Sequence, residues 1–220
     1  MRQLAVGVGQ LLGRPPHFMN SYLVDDVLVD AGTPAAAGRI LRQVRGRDVA
    51  AHVVTHAHPD HFGSSHGVCT ELGIPLWAGA ADAAAIETAS PVPAAGRLPE
   101  LLARGKMPPP HPVTRRLVEG DQVGSFTVLD VPGHSPGHIA LWRESDRILL
   151  CGDVFYRLPK VSAPWNFLTF DVRRNHQAMR RLAALRPVLV LFGHGKPLRQ
   201  LENGRPDVLG RVVDALPGPE

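Results

Sequence analysis

The sequence predicts an α/β protein, in which buried strands and amphipathic helices alternate within a single domain spanning residues 1–220. Short apolar runs bounded by turn residues, such as 188–192, are typical of buried strands. Segments with apolar residues on one side and arginines on the other, such as 172–185, are typical of surface helices. A length of 220 residues with 44% hydrophobic composition suits one large domain of this class.

The first half of the chain predicts two adjacent strands followed by alternating helices and strands. Apolar runs on either side of Asp25 and Asp26 are typical of a hairpin. Thr33 suits the cap of the next helix, and Pro34 suits its first position. We predict strands at 21–24, 27–30, 52–55 and 75–78, and helices at 34–44, 64–72 and 80–88.

A proline-rich insertion at about 89–114 interrupts this alternation. Two proline clusters bracket a short predicted helix around residues 98–104. An insertion of this length is typical of either a surface connection or a lid over a site, and the sequence leaves both interpretations open.

The second half predicts further strands and helices around an aromatic loop. Asp171 suits the cap of a helix. The segment 157–170 carries Trp165, Phe167 and Phe170, which predict either a wall of a binding pocket or aromatic packing beneath a loop. We predict strands at 126–131, 148–150 and 188–192, and helices at 172–185 and 206–216.

Residues 55–61 concentrate three imidazoles and one carboxylate, which belong to His56, His58, Asp60 and His61. Imidazole and carboxylate together suit zinc, iron or manganese. Only 11 of the 220 residues are histidine. A chance occurrence of this H-x-H-x-D-H spacing is therefore roughly a one-in-a-thousand event, and the cluster indicates a metal site.

Three later motifs also place His or Asp just after an apolar run. They are Gly-His-Ser-Pro-Gly-His at 133–138, Cys-Gly-Asp at 151–153 and Phe-Gly-His-Gly at 192–195. Loops at the end of a rigid sheet are where binding and catalytic sites are commonly built. Four predicted strand ends therefore each carry candidate metal ligands.

Taken together, these motifs resemble the metal signature of the metallo-β-lactamase superfamily over residues 20–195, and Val-Asp-Ala-Gly at 29–32 resembles its first motif. The resemblance implies a four-layer αββα sandwich. It also implies one metal held by His56, His58 and His134, and a second metal held by Asp60, His61 and His194, with Asp153 bridging both.

The resemblance also narrows the expected activity. The secreted β-lactamases of this superfamily lack a bridging aspartate at the position of Asp153, so antibiotic hydrolysis is not expected. Glyoxalase II, acyl-homoserine lactonases, RNA-processing nucleases and phosphodiesterases carry one. Only 26 residues follow His194, whereas glyoxalase II carries a C-terminal glutathione-binding domain, and no segment resembles the added RNA-binding arm of the nucleases. The expected activity is hydrolysis of a small ester, thioester or lactone.

The expected mechanism uses two divalent metal ions, with zinc as the expected metal and iron or manganese as alternatives. Two such ions can share a hydroxide, which would attack the substrate carbonyl. Asp60 and Asp153 are the expected catalytic carboxylates, and Asp153 would also orient the hydroxide. Tyr156 matches a tyrosine that acyl-homoserine lactonases use toward the substrate carbonyl, or it closes the pocket wall. Asp30, Thr55 and His138 resemble residues that orient metal ligands.

The sequence also fits other functions. A mononuclear iron persulfide dioxygenase, a phosphodiesterase of the same superfamily and a non-enzymatic metal-binding module are the alternatives. The net charge of +4 is spread over scattered arginines, which is weak evidence for nucleic-acid binding. We expect a cytoplasmic protein with a small-molecule substrate and no nucleic-acid or membrane partner. The sequence does not indicate an oligomeric state.

Overall fold

Two large β-sheets, packed face to face, form the centre of the fold. The computed structural model describes residues 1–13, 15–90, 92, 107–201 and 204–218. In the first sheet seven strands lie in chain order, namely β1 (Arg2–Ala5), β2 (Val8–Gln10), β3 (Tyr22–Val24), β4 (Val27–Val29), β5 (Ala51–Val54), β6 (Leu76–Gly79) and β7 (Val113–Leu117).

The second sheet has six strands and a different connectivity. Its spatial order is β15 (Leu198–Arg199), β14 (Leu189–Phe192), β11 (Ile148–Gly152), β10 (Ile139–Arg143), β9 (Phe126–Asp130) and β8 (Gln122–Val123). A separate hairpin pairs β12 (Tyr156–Arg157) with β13 (Val161–Ser162). Strands β11 and β14 run parallel, so their carboxyl ends meet at one edge of the sheet.

Six α-helices are present in the described part of the chain. They are α1 (Ala37–Val44), α2 (Pro59–Phe62), α3 (Ser65–Leu72), α4 (Ala83–Thr88), α5 (Val172–Ala184) and α6 (Val208–Asp214). A 3-10 helix spans Asn166–Leu168.

Side-chain alternation along the strands produces the four layers. In β4, Val27 and Val29 enter an apolar cluster between the two sheets, whereas Leu28 packs outward with Ile40 of α1 and Val68 of α3. The outer face of the second sheet packs in the same way against α5 and α6. The predicted four-layer αββα sandwich is therefore confirmed.

Most predicted elements are present, with corrections at helix starts. Helix α1 begins at Ala37 instead of Pro34, because residues 33–36 form a turn in which the amide of Ala36 donates to the carbonyl of Thr33. Helix α4 begins at Ala83 instead of Ala80. The cap at Asp171 is confirmed, since its side chain accepts from the amide of Arg174.

Two predictions about the insertion fall on a part of the chain that the structure does not describe. The short helix around residues 98–104 lies outside the described residues, and so does most of the segment that would form a lid. Within the described residues, no helix combines the length and the apolar character needed to cross a bilayer.

Candidate metal centre

All seven predicted metal ligands lie at one edge of the sandwich. Their donor atoms form three overlapping groups, and within each group the atoms lie within 4.8 Å of one another. The three groups are His56, His58 and His134, then His56, His61 and Asp153, and finally Asp60, His61 and His194. The first and third groups are the two sets that the resemblance implied.

The carboxylate of Asp153 lies between these sets. Its Oδ2 atom is 3.4 Å from Nε2 of His134 and 3.2 Å from Nε2 of His194. The same oxygen is 3.4 Å from Nε2 of His61. One buried carboxylate oxygen is therefore close to ring nitrogens of both sets.

Local structure explains why the first motif delivers its side chains together. Strand β5 ends at Val54, and the chain then turns into α2, for which His58 is the N-cap and Pro59 the first residue. Proline favours this position because its missing amide proton is not needed there. This short helix, which the sequence did not predict, places Asp60 and His61 beside His194, the third member of their group.

Gly152 and Gly193 bring the second sheet close to the same point. Gly152 has a φ of +50° and marks a register irregularity between β11 and β14, directly before Asp153. A Cβ atom on Gly193 would lie 2.6 Å from Cε1 of His61 and closer still to Oδ1 of Asp153. Only glycine fits at position 193 without displacing the carboxylate.

Asp30 and Thr55 orient two of the imidazoles, as the sequence predicted. The Nδ1 atom of His61 donates to Oδ2 of Asp30 at 2.8 Å, so its Nε2 atom faces the centre. Thr55 donates its hydroxyl proton to Asp30, and its oxygen lies 3.1 Å from Nδ1 of His56. These contacts fix ring orientation from outside the centre.

His138 holds the main chain at Asp153. Its Nε2 atom accepts from the amide of Asp153 at 3.0 Å, and its ring stacks on that of His56 with centroids 4.7 Å apart. Burial lowers the pKa of His138 to about 3, so the ring is neutral and can accept this hydrogen bond.

Asp82 is a structural residue of the site that the sequence did not reveal. Its carboxylate accepts from the amides of Ala57 at 2.9 Å and Gly137 at 2.6 Å, and from the hydroxyl of Ser135. It therefore links the loop of the first motif to the loop that carries His134. No motif marks this residue, because its partners lie 25 to 55 positions away in the chain.

The segment around Phe18 and Asn20 also supports the site without a sequence signal. The Nδ1 atom of His194 donates to the carbonyl of Phe18. The Asn20 amide group donates to the carbonyls of Phe192 at 2.9 Å and Gly195 at 2.7 Å. The loop that carries His194 is therefore held on both of its sides.

Burial and charge divide the imidazoles into two classes. Burial, together with the neighbouring imidazoles, lowers the pKa of His56 and His134 well below the ordinary value, so both rings are neutral. Burial also acts on His194, but the charge of Asp153 outweighs it and raises the pKa of His194 to about 10. Burial likewise opposes protonation of His61, yet Asp153 and Asp30 hold its pKa well above the ordinary value.

Two orphaned atoms test whether a cation fits this donor set. The buried Nε2 of His134 and Oδ1 of Asp153 have no hydrogen-bond partner among the described residues. Unpaired buried polar atoms are rare and costly in native proteins. Neutral imidazoles and carboxylates are ligands that divalent transition metals accept, so the residues present fit such ions.

Tyr156 lies beside both sets. Its ring packs edge-on against those of His194 and His134, with centroids 5.0 and 6.0 Å apart. Burial, followed by the charges of Asp153 and Asp60, raises the pKa of its phenol above the ordinary value. The phenol therefore stays protonated and can donate a hydrogen bond.

Comparisons with known proteins show which sequences the chain resembles. A sequence model of the Metallo-beta-lactamase superfamily matches residues 14–194. A probable metallo-hydrolase, YflN of Bacillus subtilis, is 26% identical over 200 residues, which cover 78% of this chain and 76% of that protein. A hydroxyacylglutathione hydrolase of Bdellovibrio bacteriovorus is 29% identical over 188 residues, which cover 80% of this chain and 64% of that protein.

A solved structure extends the comparison to metal content. TTHA1623, crystallised in a di-iron-bound form, is 30% identical to this chain with a TM-score of 0.64. The match covers 86% of this chain and 92% of that protein.

Proposed function

Because the chain belongs to the metallo-β-lactamase superfamily, we propose that it is a dinuclear metal-dependent hydrolase of a small ester, thioester or lactone. The observation that carries this proposal is the position of the Asp153 carboxylate. Its Oδ2 atom lies within 3.4 Å of ring nitrogens from both sets of ligands. A shared carboxylate at this position is what a pair of metal ions needs.

Seven side chains would hold the metal ions. Divalent cations at such a centre supply an ionised water as nucleophile at neutral pH and polarise the substrate carbonyl. One ion would be held by His56, His58 and His134, the other by Asp60, His61 and His194, and Asp153 would contact both.

The protein itself contributes orientation and proton control. Asp30 fixes the ring of His61 through Nδ1, which leaves Nε2 free for a cation. Binding of a cation would displace the proton that Asp153 and Asp30 favour on His61, so metal affinity should fall at low pH. Tyr156 would donate its phenol proton in a hydrogen bond to the substrate carbonyl oxygen, where negative charge develops.

The relatives support the proposed substrate class and make iron an alternative to zinc. A hydroxyacylglutathione hydrolase acts, by its name, on an acyl derivative of glutathione, which is a thioester. The di-iron form of TTHA1623 makes iron a candidate alongside zinc. Zinc remains our first expectation, because three imidazoles and a shared carboxylate suit it well.

Metal analysis combined with a substrate panel tests the proposal. Protein purified without added metal should contain two divalent ions per chain and hydrolyse members of a panel of esters, thioesters and lactones. His58→Ala and Asp60→Ala should each lower turnover at least a hundredfold, whereas His66→Ala, which alters an exposed histidine outside the site, should not.

Three results would contradict the proposal. Turnover that is unaffected by both His58→Ala and Asp60→Ala would separate the activity from this centre. A single iron per chain, with oxygen consumption on a persulfide, would replace the hydrolase with a mononuclear dioxygenase. Hydrolysis confined to phosphodiesters would replace the proposed activity with that of a phosphodiesterase.

A further inference from the structure

The exposed aromatic residues lie on two segments that contact the loops of the candidate metal centre. The chain has 12 aromatic residues, and every one lies in the described part of the chain. Four are exposed, namely Phe18, Trp165, Phe167 and Phe170, with exposed fractions of 49%, 54%, 43% and 37%. Clusters of large exposed aromatic side chains are unusual on a protein surface, and such patches often mark binding surfaces.

Three rings form a continuous row that leads outward from the centre. Tyr156 packs edge-on against His194 on its inner side. On its outer side it meets Trp165, with centroids 5.8 Å apart and an interplanar angle of 82°. Trp165 in turn lies parallel to Phe167, with centroids 5.9 Å apart and an angle of 8°. We call Tyr156, Trp165 and Phe167 the aromatic row.

Hydrogen bonds attach the outer part of this row to the loop that carries His134. The amide of Phe170 donates to the carbonyl of His134 at 3.2 Å, and the amide of Asp171 donates to the carbonyl of Gly133 at 2.8 Å. The hydroxyl of Thr169 and the amide of Leu168 both donate to the carbonyl of Trp165. The main chain that carries the exposed rings is therefore held in place, so little backbone ordering is needed when a ligand binds.

Phe18 supplies a further apolar surface beside His194. Its ring packs edge-on toward that of His194 at 6.3 Å, and its carbonyl accepts from the same imidazole. Ligand pockets typically combine apolar walls with a few polar groups that fix orientation. Here the polar groups are those of the candidate centre, and the apolar surfaces flank it.

Within the described residues, no cation is stacked on the rings of the aromatic row. In the described part of the chain, the two cations stacked on aromatic rings are Arg115 on Trp77 and Arg143 on Phe126, and neither ring belongs to the row. Arg157, which follows Tyr156, donates to the carbonyls of Lys196 and Pro197. The exposed faces of Trp165 and Phe167 are therefore available to an apolar ligand group.

We propose that the substrate carries an apolar group, either an aromatic ring or an alkyl chain of several carbons, which packs on Trp165 and Phe167. This inference rests on the proposed hydrolase function, and it names the substrate class of that site. The carbonyl group would reach the centre beside Tyr156 while the apolar group covers the exposed part of the row. Covering apolar surface of this extent should raise affinity about tenfold or more.

A series of thioesters that share one leaving group tests the inference in the metal-loaded protein. Acetyl, octanoyl and phenylacetyl thioesters of N-acetylcysteamine differ only in the acyl group. We expect kcat/KM to be at least tenfold higher for octanoyl or phenylacetyl than for acetyl, and the comparison of these two distinguishes an alkyl from an aromatic group. Trp165→Ala and Phe167→Ala should reduce this preference at least fivefold, mainly through KM.

Matched controls separate this inference from the hydrolase proposal. Val118→Ala removes an apolar side chain that is 50% exposed elsewhere on the surface, and it should leave the preference unchanged. Binding of octanoate or phenylacetate, measured by calorimetry, needs no turnover and should weaken at least fivefold in Trp165→Ala. Near-ultraviolet circular dichroism and the thermal midpoint confirm that each variant is folded.

The outcomes can be told apart. Turnover with equal kcat/KM for all three acyl groups would overturn the apolar-substrate inference alone. So would equal losses of kcat/KM for the acetyl and octanoyl substrates in Trp165→Ala and Phe167→Ala. If no thioester, ester or lactone is hydrolysed, the hydrolase proposal fails. In that case, if Trp165→Ala still binds octanoate and phenylacetate as tightly as the wild-type protein, the role of the aromatic row is also overturned.

Discussion

Substitution of Gly193 by alanine should displace the Asp153 carboxylate without removing any donor from the centre. The added Cβ atom would lie 2.6 Å from Cε1 of His61 and closer still to Oδ1 of Asp153, whereas real Cβ contacts essentially never fall under 3.0 Å. The backbone cannot easily retreat, because the amide of Gly193 donates to Gly152 at 2.9 Å and its carbonyl accepts from Asn20 at 2.9 Å. The carboxylate must therefore move by about 1 Å.

Two magnitudes follow from this displacement. Overpacking of this kind typically costs about 1–3 kcal/mol in the free energy of unfolding. Disturbing a group that positions metal ligands typically costs about 10- to 100-fold in metal affinity. We expect both effects in Gly193→Ala, with zinc affinity measured by chelator competition and stability measured by urea unfolding.

Gly67→Ala is the matched control for this substitution. Gly67 lies in α3, and its added Cβ would meet the Cβ of Ala37 at 3.5 Å, an ordinary contact. Alanine should stabilise that helix by roughly 0.5–1 kcal/mol and leave zinc affinity unchanged. If Gly193→Ala kept both wild-type zinc affinity and wild-type stability, the packing argument for Asp153 would be wrong.

Three further predictions address the residues around the centre. Asp82→Ala removes three hydrogen bonds to two loops and should lower the free energy of unfolding by about 2–4 kcal/mol. Urea unfolding measures this loss, with the exposed Asp48→Ala as the control. A loss below about 1 kcal/mol would contradict the structural role of Asp82. Burial lowers the pKa of His52 from 6.5 to about 4, so the stability that its neutral form contributes is present above pH 6.5 and is lost as the pH falls to 4. This loss amounts to about 3 kcal/mol. Between pH 7 and pH 4, the free energy of unfolding should therefore fall less in His52→Gln than in the wild-type protein. An equal fall in both proteins would refute the prediction. Tyr156→Phe should lower kcat about tenfold with little change in KM or metal content, and an unchanged kcat in steady-state kinetics would restrict Tyr156 to the pocket wall.

The sequence predicted seven of the fifteen strands in the described part of the chain, together with the seven clustered side chains, because both depend on local pattern. Apolar runs followed directly by His or Asp marked the ends of β5, β9, β11 and β14, and these ends do meet. Parallel pairing of β11 with β14 explains why Asp153 and His194 arrive together. Their roles as metal ligands, the nature of the metal and the cytoplasmic location stay predictions.

Asp82 and the segment around Phe18 could not be predicted as supports of the site, because their partners are distant in the chain. Asp82 accepts from main-chain amides and a hydroxyl, which every sequence offers in many places. Phe18 contributes its carbonyl to His194, so its side-chain identity carried no signal for that contact. Helix α2 was missed for a related reason, since four residues are too few to show a helical period.

The donors of the centre come from both sheets, and this has a consequence for unfolding. His56, His58, Asp60 and His61 follow a strand of the seven-stranded sheet, whereas His134, Asp153 and His194 follow strands of the six-stranded sheet. Bound ions would act as a cross-link between the halves of the sandwich, in addition to the apolar packing and the hydrogen bonds that already join them. At a thousandfold excess over the dissociation constant this linkage is worth about 4 kcal/mol. Hydrogen exchange should therefore slow in the innermost amides of both halves at once when metal is added.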